Sequence, residues 1–148
     1  MKQIPESIIY SWMAWEVEAI TKEKFFSMVD EYILQVKEPE IYVLELTTMD
    51  QIGRNLVREH FTKNIIDLDY EASTAYKYKL ICLAFKQELL NVKQASIAIV
   101  KYLVDDEWGS LNSPNASLNE LYDRWISGSS LCGDEVYYRE LECILRHS

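Results

Sequence analysis

The sequence predicts an all-α protein, a single domain over residues 1–148 built from six or seven helices, with one short segment near 41–46 that reads as extended or helical. Three observations predict it. Apolar residues recur at spacings of three and four along most of the chain. Cap residues and helix stops alternate at helix-length intervals. Strand formers gather only in "IYVLEL", which is too short and too isolated to find sheet partners.

The elements follow in order. In "PESIIYSWMAWEVEA" Pro5 suits a first helical position, and Ile8, Ile9, Trp12, Trp15 and Ala19 share a face. Thr21 is a plausible N-cap for "KEKFFSMVDEYILQV", whose inward positions are Phe25, Met28, Val29, Tyr32 and Val36. Pro39 closes that helix or opens the next element. Thr48 and Gln51 have capping-box spacing ahead of "MDQIGRNLVREHF", and Asp69 can cap "YEASTAYKYKLICLAFKQELL".

Asn91 can cap "VKQASIAIVKYLV", which is apolar around most of its circumference and is therefore placed at the centre of the fold. Ile99→Ala on that helix should then cost on the order of 2–5 kcal/mol. Glu16→Ala, read as a surface change, should lie within about half a kilocalorie. Gly109 ends the central helix, Pro114 and the asparagines turn the chain, and Ser117 with Glu120 starts another helix. Leu118, Leu121, Tyr122, Trp125 and Ile126 form its stripe. Gly128 and Gly133 bracket a turn, Asp134 caps, and the last helix turns Tyr137, Leu141, Ile144 and Leu145 inward. No internal repeat is evident.

Composition bounds the function. Of the residues, 49% are apolar, yet no stretch is long and uncharged enough to span a bilayer, and Pro5, Glu6, Glu16 and Glu18 interrupt any secretion signal. A cytoplasmic protein that does not associate with membranes is expected. Cys82, Cys132 and Cys143 are odd in number and lack metal-like spacing, so reduced thiols are expected. The net charge of −9 is uneven: −5 over residues 1–60, +2 over 61–104 and −6 over 105–148. Such acidity opposes nucleic-acid binding and favours a partner with a basic surface.

No catalytic constellation, metal site or cofactor is expected. His60 and His147 lack the glutamates of a di-metal helix pair. The run from Asp67 has Ala72 where a calcium loop needs glycine and Tyr78 where it needs a bidentate glutamate. Cys143 and His147 share a helix face, but at a fraying end, so a buried cysteine beside a loose histidine is expected. The carboxylates spaced by two (Glu16 and Glu18, Asp67 and Asp69, Glu140 and Glu142) point to different sides. Ten tyrosines and four tryptophans suit either an interface or the margin of a core.

The expected function is protein–protein binding without chemistry. Its concrete form is an acidic inhibitor, immunity- or antitoxin-like, that covers a basic partner such as a nuclease toxin; this is an analogy of charge and size alone. An enzyme or ligand-binding domain with a site assembled from scattered residues is the first alternative, and a self-associating phage or regulatory protein the second. Asp105, Asp106, Glu107 and Trp108 are the candidate partner-binding edge. Three acids read as the end of a helix oppose its dipole; the structural alternative is that Lys101 and neighbouring lysines neutralise them and Trp108 tucks into the core.

Overall fold

The structure is a computed structural model, and it describes residues 5–49, 57–59, 61, 70–104, 109–128 and 133–148. Seven helices have defined limits among them: α1 Glu6–Glu16, α2 Lys22–Gln35, α3 Ile41–Leu46, α4 Tyr70–Lys86, α5 Val92–Leu103, α6 Ala116–Ile126 and α7 Asp134–Arg146. Val57 to Glu59 and Phe61 are also helical. The protein is all-α, and among the described residues the only extended pairing is an isolated antiparallel bridge between Val104 and Leu111. "IYVLEL" is helical, with Val43 and Leu46 buried. Without neighbouring strands its backbone groups pair within the segment.

The chain divides into two compact units, Met1–Asp69 and Tyr70–Ser148. In the first, α1 packs on α2 and α2 on α3. The helix enclosed on nearly all sides is α1, where Ile8, Ile9, Ser11, Trp12, Met13, Ala14, Trp15 and Glu16 are all buried. Its polar residues conceal this in the sequence. Ser11 Oγ donates back to the Ser7 carbonyl at 2.6 Å, which satisfies the hydroxyl inside the helix. Glu16 meets Arg58, whose Nε and Nη2 donate to its two carboxylate oxygens at 3.2 and 3.0 Å. Glu16 is therefore not the surface residue that its charge suggested. Around it, Trp12 stacks on Phe61 with centroids 4.8 Å apart, and Trp15 stacks on Phe25 at 5.2 Å.

In the second unit α7 is the hub, packing on α4, α5 and α6. Its stripe Tyr137, Leu141 and Leu145 is fully buried, while Ile144 is partly exposed. The central place expected for the 92–104 helix is thus corrected: α5 buries Ala95, Ser96, Ala98, Ile99 and Leu103 but exposes Ile97 and Val100. The inner face takes Ile99 and Leu103 together with the small residues, and Ile97 and Val100 are left outside. Ser96 Oγ and the Tyr137 hydroxyl, both buried, pair at 2.8 Å. Tyr137 also stacks on Trp125 at 4.0 Å, and Trp125 Nε1 donates to Asp134 Oδ1 at 2.9 Å.

Caps decide where the helices begin. Thr21 accepts from Lys24 N, and Asn91 forms a full capping box with Gln94. Elsewhere the boundaries move by a residue or two. Pro5 is the N-cap of α1 and not its first residue. Asn115, not Ser117, caps α6 by accepting from Leu118 N. Gly133 precedes α7, which makes Asp134 its first residue. Asn115 prevails because Ser113 holds the turn before it: the Ser113 hydroxyl sits 2.7 Å from Asn119 Oδ1, and Asn119 Nδ2 donates to the Ser113 carbonyl at 3.0 Å. Gln51 and Asp69 lie outside the described residues.

One elbow occurs twice, although no repeat is evident in the sequence. Glu18 N donates to Trp15 O and Ala19 N to Ala14 O; Glu88 N donates to Phe85 O and Leu89 N to Ala84 O. Both glutamates take left-handed backbone, with φ of 60° and 62°. This is a Schellman closure followed by an N-cap three residues on, Thr21 in one unit and Asn91 in the other. In retrospect "AWEVEAIT" and "AFKQELLN" share an alanine, an aromatic ring, the glutamate, two apolar residues and the cap. Glutamate stands where glycine is usual, which is why the match reads as ordinary helix.

Candidate interaction surfaces

Among the described residues no group of three or more His, Cys, Asp or Glu side chains is placed to hold a metal ion. No helix there is long and apolar enough to cross a membrane. His60, Cys132, Asp67 and Asp69 lie outside the described residues. Cys143 is exposed, which corrects the expected burial, and His147 ends α7 with its backbone N–H on the Cys143 carbonyl at 3.2 Å. The stripe of α7 faces inward at Leu141 and Leu145, so position 143 falls on the outer side.

Carboxylates two apart do go separate ways. Glu140 pairs with Arg124 at 3.2 Å and Glu142 with Arg146 at 2.8 Å. Glu16 is buried on Arg58, whereas Glu18 forms the elbow.

Cys82 is the buried thiol. Burial raises its pKa above the ordinary 9.0, and the neighbouring Tyr78 hydroxyl is pushed to about 12, also chiefly by burial. The Tyr78 hydroxyl lies 2.5 Å from Ser148 Oγ, and Asn115 Nδ2 donates to it at 3.3 Å. A thiol and a phenol held in their protonated forms make a poor nucleophile and a poor base at neutral pH.

A cleft of about 600 Å³ lies beside this group, with Phe85, Leu90 and Val92 as its apolar wall and Lys86, Glu142 and Arg146 among its polar residues. Three of its charged residues are already engaged. Arg146 pairs with Glu142 and lies 5.6 Å over the Phe85 ring, and Lys86 donates to the Ser148 carbonyl.

The described aromatic side chains are core and core margin. Trp12 and Trp15 are buried, Trp125 is stacked on Tyr137, and Tyr78, Tyr122 and Tyr137 are at most 7% exposed. The surface is unusual in its aliphatic residues. Leu34 is 87% exposed, Ile41 61% and Leu44 43%, all from the end of α2 to α3. Exposed acids Asp30, Glu31, Glu38 and Glu45 stand among them. The Tyr32 hydroxyl donates to Glu40 Oε2 at 2.9 Å and ties the end of α2 to the start of α3. On the other unit, Ile97 is 54% and Val100 41% exposed, with exposed Lys93 and Lys101 on the same face of α5.

Asp105, Asp106, Glu107 and Trp108 lie outside the described residues. Their flanks are described and change the argument for them. α5 ends at Leu103, Val104 is extended, and Asn112 N donates to the Leu103 carbonyl at 2.9 Å. The helix thus stops before Asp105, and Gly109, with φ +66°, belongs to the return towards Leu111 and does not stop the helix. The helix-dipole penalty no longer singles these acids out. The signal that pointed elsewhere was Leu34, which falls opposite the buried Phe25–Val29 side of α2.

Comparison with protein-family models, with curated proteins and with solved structures finds no match to this chain.

Proposed function

We propose that this protein acts by binding another protein and carries no chemistry of its own, with the end of α2 and α3 as its docking edge. The exposure of Leu34, Ile41 and Leu44 among four acids carries the reading. Aliphatic side chains so exposed, with charge around them, suit a partner that covers the apolar groups and answers the acids with Lys or Arg. An inhibitor of a basic protein, immunity- or antitoxin-like, is the concrete form.

The test uses a defined probe: an amphipathic helical peptide rich in lysine, and its counterpart with glutamate in place of each lysine. The lysine peptide should bind, more weakly as salt rises, and Leu34→Ser with Ile41→Ser and Leu44→Ser should abolish binding without unfolding the protein. Equal binding of both peptides, or unchanged binding by the triple variant, would refute the edge. Replacing Asp105, Asp106 and Glu107 together with serine tests the other candidate in the same assay. Weaker, less salt-sensitive binding at unchanged stability would move the edge there.

A further inference from the structure

We propose that α5 carries a second docking face and that its occupant is the α2–α3 edge of a second copy of this chain. The inference rests on the same edge as the proposed function, but adds a surface and names the partner. The outer face of α5 repeats at helical spacing: Lys93, Ile97, Val100 and Lys101 are all exposed. This is a reversed composition for so acidic a protein, since residues 61–104 are net positive while both flanking segments are net negative. The α2–α3 edge has the opposite character, with Leu34, Ile41 and Leu44 among Asp30, Glu31, Glu38 and Glu45. Each face offers aliphatic area with charge beside it, and the charges are complementary.

The fold shows why α5 has this face. Ala95, Ser96, Ala98, Ile99 and Leu103 supply its buried face, so Ile97 and Val100 are left exposed. Val92–Leu103 would keep its limits with polar residues there, because the Asn91–Gln94 box and the inner face supply them. The contact joins unlike surfaces, so it builds either a closed dimer in which each copy uses both faces or a larger assembly.

The experiment is a charge exchange read by sedimentation velocity over a range of concentrations. The wild type should show mass rising with concentration. Lys93→Glu with Lys101→Glu should be monomeric, and so should Glu31→Lys with Glu45→Lys. Mixed in equal amounts, the two variants should associate again, because every contact between unlike copies is then either native or reversed on both sides. All four substituted positions are exposed, so each variant should fold, which circular dichroism checks. A wild type that stays monomeric up to about 0.5 mM, a contact weaker than any specific interface of ordinary affinity, overturns the inference. So does a mixture that fails to associate. The α5 variant keeps the α2–α3 edge, so it should still bind the lysine-rich peptide. Peptide binding without self-association sinks this inference alone, and self-association without peptide binding sinks the proposed function alone.

Discussion

Replacing Arg58 should harm this protein more than replacing the buried residue it pairs with. The Glu16 side chain is 1% exposed and that of Arg58 47%, so the two ends of the ion pair stand in different media. With charge centres about 4 Å apart and an effective dielectric near 20, their attraction is about 4 kcal/mol. Arg58→Met removes that attraction and leaves a carboxylate that is 1% exposed without its guanidinium. The cost should approach the roughly 3–5 kcal/mol of breaking a buried ion pair. Glu16→Gln removes the other partner, but the guanidinium is half in water already and rehydrates, while the amide keeps a hydrogen bond. About 1–2 kcal/mol is expected. Glu16→Leu combined with Arg58→Met should fall closer to wild type than Arg58→Met alone, because no charge is stranded. Urea denaturation of the four proteins at pH 7, with a common m-value, measures all of these. If Arg58→Met costs less than about 1 kcal/mol, or no more than Glu16→Gln, the carboxylate is not desolvated and the reasoning fails.

Neighbouring positions of α5 should behave in opposite ways: Ile99→Ala should cost about 2–5 kcal/mol, while Ile97→Ala should stay within about 0.5 kcal/mol, and equal costs in chemical denaturation would mean that the helix is rotated. Glu88→Gly relieves the left-handed strain of the second elbow and should raise stability by up to about 1 kcal/mol, provided that thermal unfolding of the monomeric concentration range is compared. Cys82 and Tyr78 both have raised pKa values, so their contribution to stability is fully present at neutral pH; it should decline as pH rises past 9.0 for the thiol and between 10.0 and about 12 for the phenol. Tyr78→Phe should flatten the upper part of that decline in urea titrations at stepped pH, and an unchanged profile would show that the hydroxyl ionises freely. At neutral pH a thiol reagent should label Cys143 at once and Cys82 only on unfolding, which mass spectrometry of the digested protein resolves.

Helical periodicity alone determined the all-α class and the positions of the main stripes. Phe25 and Val29, Leu118 and Leu121, and Tyr137, Leu141 and Leu145 all face inward as their spacing requires, because one helix side must leave water whatever the partner is. Thr21 and Asn91 were also legible, since a cap acts on backbone groups two or three residues away and needs nothing distant. What the sequence could not settle depends on residues far apart in the chain. Glu16 looks like surface until Arg58 arrives from 42 positions away to neutralise it. The 92–104 helix looks central because it is apolar all round, but only packing decides which apolar side is used. The inner face is Ala95, Ser96, Ala98, Ile99 and Leu103, and there Ser96 pairs with Tyr137 of α7. Nothing in the sequence singles out Leu34 or Ile41, for the same reason. An apolar residue marks a surface only once the fold has failed to cover it, and that is a property of the tertiary structure.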